Sequence, residues 1–452
     1  MDLSEGNVNS DRRGKPMKRW AGVCFLVAVA VLSLLMNRSG ASPQEAANVW
    51  EPVGPDGGNI KGLAVNPLNN DEIFAVDDAY PAQIFRSLNS GQSWEKIGSI
   101  NASLCDIVFH PTASNILYAL AADGVYKTSD SGLNWTKHNF GAACYSYNGK
   151  LGVSPANANV LYAGGFHYES GKYSLAVFKS INAGESWSTS ALTPAQSYAG
   201  FYALAVSPQN ADIVYASGYY QTASGQDPSA AAIYYKIYKT TNGGTNWQDI
   251  SGSINATPYA VAIDPANPAK VYVSTLGKIY RSSDGGQNWS SNNGYVYGYA
   301  LAIDPADPNV LYAGYLKACY KSTDGGVNWT QYTSGLAGTC NSLRMGKPYR
   351  ASSGASGDIY YASSAGVFKS PDGAINWWES HSGMRATQIA ALAIAGSSSN
   401  RLYAEARANG FFKSLDYGST WSRCPDFYRC DAVEKIAVNP NDANDLYILA
   451  GG

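Results

Sequence analysis

The chain has 452 residues, 45% of them hydrophobic, enough for one large domain or two or three small ones and too much for a disordered chain. Charged residues make up only 15% and tyrosine alone contributes 33 residues, a neutral-surfaced composition that suits β-structure. With a net charge of −2 and scattered basic residues, the chain lacks the clustered positive footprint of a nucleic-acid binder.

At the N-terminus, Arg12, Arg13, Lys15, Lys18 and Arg19 precede an uncharged run over residues 21–36 that is apolar apart from Ser33, followed by the small residues Ser39, Gly40 and Ala41. The run is shorter than the roughly 20 residues of a spanning helix, so the pattern predicts a signal peptide over 1–41 cleaved after Ala41. An uncleaved N-terminal anchor is the alternative, and either way the bulk of the chain becomes extracytoplasmic, secreted or periplasmic. The mature chain is expected to carry no membrane span, with residues 42–48 as a short linker. Six cysteines beyond Cys24 suit an oxidising compartment. The expected disulfides join sequence neighbours: Cys105 with Cys144, Cys319 with Cys340, and Cys424 with Cys430. No CxxC pair occurs and the four histidines are dispersed, so no metal or cofactor is expected.

From residue 49 onward the chain repeats itself. Eight segments share one pattern, among them FRSLNSGQSW (85–94), YKTSDSGLNW (126–135), YRSSDGGQNW (280–289) and YKSTDGGVNW (320–329). Each has an aromatic residue, a base, Ser or Thr, then Asp or Asn two residues on, and Trp seven residues after the hydroxyl. The Asx positions are Asn89, Asp130, Asn182, Asn242, Asp284, Asp324, Asp372 and Asp416. The closing residues are Trp94, Trp135, Trp187, Trp247, Trp289, Trp329, Trp377 and Trp421. Asx followed by Gly suits a tight turn, so the unit predicts a β-hairpin whose Trp is buried against a neighbouring sheet.

Ahead of each hairpin lies a short apolar strand, a Pro-containing turn and an aliphatic-Tyr-Ala strand, as in LAIDPADPNVLYAG (301–314). Each repeat therefore supplies four strands, and successive hydroxyls are 41, 52, 60, 42, 40, 48 and 44 residues apart, the size of a propeller blade. The expectation is an all-β fold over 49–452, a β-propeller of four-stranded blades with eight full repeats and a partial ninth. Residues 49–53 read as an orphan fourth strand and 435–452 as the first two strands of a repeat without its hairpin, so the chain reads as truncated at the C-terminus.

The hairpin resembles the Asp-box (BNR repeat), S-x-D-x-G-x-T-W, found in the propellers of sialidases, xyloglucan-degrading endoglucanases, sortilin-type receptors and the photosystem II assembly factor. The resemblance implies the fold and leaves function open, because those relatives include enzymes, receptors and assembly factors. Asn89, Asn182 and Asn242 depart from the pattern at the Asp, and Ala374 at the turn Gly.

If the box joins strands three and four, the loops between strands two and three and between repeats emerge on the opposite rim. The long ones span 76–83, 164–176 and 217–236, and long insertions on a rigid scaffold are where binding concentrates. They are rich in tyrosine, a flat apolar face with a polar tip. Tyr80, Tyr168, Tyr219, Tyr220 and Tyr299 are the candidate binding residues for a glycan or an extracytoplasmic protein, the alternative being that they merely cover blade edges.

For glycoside hydrolysis two facing carboxylates are required. The rim offers Asp77, Asp78, Glu169 and Asp227, and the segment EIFAVDD (72–78) faintly resembles the stretch carrying one catalytic Asp in xyloglucan-degrading endoglucanases, which nominates Asp78 against the alternative of a solvated loop acid. A sialidase would need an Arg-Ile-Pro motif, which is missing, although Arg344, Arg350, Arg385, Arg401 and Arg407 gather in the last third. The sequence thus favours a non-catalytic binding module, with a glycoside hydrolase, xyloglucanase-like more than sialidase-like, and a membrane-protein assembly factor as alternatives.

Overall fold

The computed structural model describes residues 59–141, 144–145, 149–194, 198–222, 232–345, 358–380, 389–394, 401–406, 410–415, 420–424, 433–439 and 442–450. The signal and linker segments, residues 49–53, Asp227, Arg350, Arg385, Arg407, Asp416 and Cys430, along with the side chains of Cys144 and Glu169, lie outside this description. Among the described residues every regular element is a strand.

The first blade consists of Ile60–Val65, Ile73–Asp77, Ala82–Ser87 and Glu95–Ile100, antiparallel and side by side in chain order. Burial is greatest at the second strand and least at the fourth. Ile73–Asp77 is buried at every position because neighbouring blades cover both its faces, whereas Glu95–Ile100 is mostly exposed. The same four-strand order recurs over 104–139, 151–191, 198–249, 260–291, 300–332 and 340–379, and the first strands of consecutive blades pack on one another, which makes them the inner strands.

The core lies between blades. Phe74, Val76 and Ile84 of blade 1 meet Ile107, Leu117 and Ala119 of blade 2. Ile60, Leu63, Phe85 and Trp94 of blade 1 meet Tyr360, Ala362 and Val367 of blade 7 in the same way. The ring therefore closes after seven blades, and the expected eight full repeats plus a partial ninth do not form one ring. An eighth four-stranded sheet (389–423) and a two-stranded sheet (433–450) follow in the chain after closure.

A clasp between blades is also present at the seam. In blades 4, 5 and 6 the base of the repeated hairpin reaches a carbonyl of the next blade's turn: Lys239 Nζ donates to the Gly285 carbonyl at 2.9 Å, Arg281 to Gly326 at 3.2 Å, and Lys321 to Gly373 at 3.0 Å. Tyr215, the strand-two tyrosine beneath Lys239, donates to the same Gly285 carbonyl at 3.3 Å, with the ammonium 5.4 Å from its ring. Between blades 7 and 1 the pair is Lys369 and Tyr360, both donating to the Ser90 carbonyl at 3.2 and 3.3 Å. The clasp joining blades 7 and 1 is thus the one that joins blades 4 to 7 in succession, and Trp94 Nε1 adds a bond to the Ser380 carbonyl at 2.6 Å.

The hairpin turns are built alike. The Ser or Thr hydroxyl donates to the Asx Oδ1 and accepts from the amide four residues on, as Ser282 does with Asp284 (2.7 Å) and Gly286 (2.8 Å). The Asx Oδ1 then accepts a further backbone amide, Asn288 N at 2.9 Å in that turn. Asn89, Asn182 and Asn242 make the same bonds, at 2.9, 3.0 and 2.9 Å to Ser93, Ser186 and Asn246, because only the oxygen is needed. The turn takes two successive residues with positive φ, which explains its glycines, and Ala374 accepts φ 74° in place of one.

Burial of the closing tryptophans is less uniform than expected. Trp94 and Trp377 are 5% and 4% exposed, whereas Trp135, Trp187, Trp247, Trp289, Trp329 and Trp421 are half-buried. Trp135, Trp187 and Trp329 bond the carbonyl of their own turn glycine, so each indole lies along the turn with one edge in water.

Candidate functional site

Hairpin turns and the loops between strands one and two occupy one rim, where the Ser90 amide bonds the Asp71 carbonyl at 3.0 Å and Gly325 bonds Asn309 at 2.9 Å. Loops between strands two and three and between blades occupy the other. The two long insertions are ordered hairpin extensions where described: Leu161–Glu169 pairs with Lys172–Ser180, and Val214–Gln221 with Ile233–Thr240.

At this second rim the inner strands share a device. The register slips by one residue between Ile60 and Gly62, Leu104 and Asp106, Phe201 and Ala203, and Cys340 and Ser342. Each slip is a β-bulge that re-aims one side chain: Lys61, Cys105, Tyr202 and Asn341. Tyr259 and Tyr299 hold the equivalent place in blades 5 and 6, two residues before the large apolar residue of the strand, and their amides bond Ser274 and Gly314 at 2.9 and 2.7 Å.

The residues at this place in blades 4, 5 and 6 touch. The rings of Tyr202 and Tyr259 have centroids 5.1 Å apart, and those of Tyr259 and Tyr299 are 4.9 Å apart. The row continues at one end to Tyr219, stacked on Tyr202 at 5.7 Å, and at the other to Tyr315 at 4.9 Å and Tyr297 at a further 5.1 Å. Gly200 makes room for it, since a Cβ there would lie 2.0 Å from the Tyr219 ring. All six rings are partly exposed. Burial, then neighbouring tyrosines, raise the hydroxyls of Tyr202 and Tyr299, the latter to about 12, and burial raises Tyr259 against a hydrogen bond with Thr257 that lowers it, so these three remain O–H donors at physiological pH.

Of the five tyrosines nominated from sequence, Tyr219 and Tyr299 join this row. Tyr220 instead stacks on Tyr234 at 5.0 Å, Tyr168 lies against Tyr173 at 4.9 Å, and Tyr80 is 69% exposed on the blade 1 loop. Tyr202, Tyr259 and Tyr315 were not nominated. The signal for the first two was present in the recurring Tyr-Ala-aliphatic-Ala run of three consecutive repeats (202–205, 259–262, 299–302).

Polar residues hold the corresponding position elsewhere. Asn341 donates to Asn59 Oδ1 and the Ile60 carbonyl at 2.9 Å each, and Asn59 donates to Asp78 Oδ2 at 2.5 Å. Asp78 is therefore the acceptor at the end of a chain of amides crossing the ring seam. Asp77 is buried and accepts the amides of Ala79 and Gln83, a turn-forming role. Arg344 reaches from blade 7 to Asp106 of blade 2 at 3.5 Å.

Cys319 and Cys340 are free thiols buried in the core between blades 6 and 7, so the expected 319–340 disulfide is not formed. They bond different carbonyls, Tyr320 at 3.8 Å and Ser342 at 3.7 Å. The other two expected pairs each include a cysteine whose side chain lies outside the description.

The fold and rim define a β-propeller. It is similar to the solved structure of an ancestral GH74 enzyme, with 16% identity, a TM-score of 0.55, and coverage of 89% of this chain and 68% of that one. It is also similar to YCF48 bound to D1 peptide (16%, TM-score 0.44, 71% and 95%) and to Saccharomyces cerevisiae Sqt1 (10%, 0.46, 81% and 95%). No protein-family profile matches the chain, and no curated protein matches it in sequence. At these identities the likeness shows the fold alone.

Proposed function

We propose that this chain is an extracytoplasmic Asp-box propeller acting as a non-catalytic binding module, whose ligand is a glycan held on the tyrosine rim. The observation that carries this reading is the continuous row of touching, partly exposed tyrosines, three of them at one register position of consecutive blades. Equal spacing of one residue type suits a ligand that itself repeats, and sugar rings present apolar faces and hydroxyls to match the ring faces and O–H groups of tyrosine. Export rests on the basic and apolar pattern of residues 12–41.

Binding to a panel of immobilised polysaccharides, followed by a reducing-sugar assay, tests this directly. Retention without sugar release, lost in Tyr259→Ala at unchanged thermal midpoint, is the expected result. Sugar release abolished by Asp78→Ala would instead establish the hydrolase alternative, and retention of a protein with no glycan bound would remove the glycan assignment.

A further inference from the structure

The mouth of the inner rim is two-sided. Tyr202, Tyr259 and Tyr299 hold one arc, and the other carries Lys61 at the blade 1 bulge and Lys150 just ahead of the blade 3 inner strand. Among the described residues neither lysine has an ion-pair partner, unlike Lys127, Lys137, Lys179, Lys236, Lys270 and Lys369. Arg344 adds a third cation on the same side, with its side chain 36% exposed. It crosses the inner strand of blade 1 to reach Asp106, and that carboxylate already accepts the amides of Ile107 and Leu151 at 3.0 and 3.2 Å. The amide of Leu151, the residue after Lys150 in blade 3, and the guanidinium of Arg344 from blade 7 bond the two oxygens of this one carboxylate, which brings Lys150 and Arg344 to the same side of the mouth. Unpaired cations on a protein of low charge density set up a local attraction for anions that the net charge of −2 does not reveal.

Resting on the binding-module reading above, we infer that the ligand is an acidic polysaccharide, its sugar rings on Tyr202, Tyr259 and Tyr299 and its carboxylates toward Lys61, Lys150 and Arg344. A neutral glycan would leave the cationic arc without a role. An acidic peptide would use that arc and has no repeating flat face for the tyrosines.

Affinity electrophoresis of the full chain through gels containing polygalacturonate, neutral galactan or polyglutamate separates these cases. Polygalacturonate is expected to retard the protein most, and added salt to weaken the retardation. Lys61→Gln with Lys150→Gln should reduce affinity by about tenfold or more, the scale of a lost charge-assisted contact. Tyr259→Ala should do the same, with Lys96→Gln, on the exposed outer strand of blade 1, as a surface control. Equal retardation by neutral galactan, insensitive to the lysine changes but lost in Tyr259→Ala, would overturn the acidic assignment while leaving the binding module intact. Equal retardation by polyglutamate with Tyr259→Ala silent would overturn it in favour of simple charge attraction. Retardation by no polysaccharide would overturn both readings.

Discussion

Trp94 offers the sharpest test of ring closure, because its energetic role depends on blade 1 meeting blade 7. The side chain is 5% exposed, packs in the cluster that joins the two blades, and donates to the Ser380 carbonyl. A buried indole covers roughly 200 Å², which at about 25 cal/mol per Å² corresponds to about 5 kcal/mol. The alanine left behind and partial collapse bring the expected loss for Trp94→Ala to about 4 kcal/mol, including about 1 kcal/mol for the orphaned carbonyl. Trp329 is half-buried and bonds its own turn at 3.1 Å, so Trp329→Ala should cost about 2 kcal/mol. Urea unfolding followed by circular dichroism, comparing midpoints at matched slopes, measures both. Losses equal within about 0.5 kcal/mol would refute the argument that Trp94 seals a seam rather than supporting its own turn.

Three further outcomes follow from the turns and the thiols. Asp324→Asn should cost about 1 kcal/mol, because Asp324 Oδ2 accepts Asn328 Nδ2 at 2.7 Å and the new amide would face that amide; adding Asn328→Ser should restore stability, as native Asn89 donates to Ser93 at 2.8 Å. Failure of the double variant to recover in thermal unfolding would count against this pairing. Hydrogen bonds, chiefly from the Asn134 backbone amide, hold Asp130 down at about 2, and those from Asn288 and Ser282 hold Asp284 lower still. Carboxylates depressed in the folded state contribute stability above their unfolded pKa and lose it as pH falls through the folded value. The thermal midpoint should therefore drop between about pH 4 and pH 2, and Asp130→Asn should flatten part of that slope; an unchanged slope would refute this assignment. Burial pushes the Cys340 thiol up to about 12 and raises Cys319 well above the ordinary thiol range, so native protein should resist maleimide at both positions and react on unfolding. A peptide map linking Cys319 to Cys340 would contradict the reduced state described here.

Local chemistry made the blade legible. Ser282, Asp284, Gly286 and Trp289 recur because each satisfies a bond or a dihedral within a single hairpin, and short-range demands of that kind leave a periodic trace in the chain. The four-strand blade and the hairpin's position between strands three and four were legible for the same reason. The rim was half legible. Tyr219 and Tyr299 stood out as loop aromatics, whereas Tyr202 and Tyr259 sit at the ends of inner strands, where tyrosine is ordinary and, at Tyr202, a bulge re-aims it.

Blade count, by contrast, was decided by tertiary structure. Eight copies of the hairpin are present in the sequence, and each is equally able to face a neighbour, so counting them cannot say which faces which. Closure depends on the angle at which successive blades pack through residues such as Phe74, Leu117 and Tyr360, and after seven of them Ser90 comes within reach of Lys369. The same geometry brings Tyr202, Tyr259 and Tyr299 into one row and sets Lys61, Lys150 and Arg344 across from it. Repeat chemistry is local and can be read from one copy, whereas ring closure and the site it frames are properties of how the copies pack together.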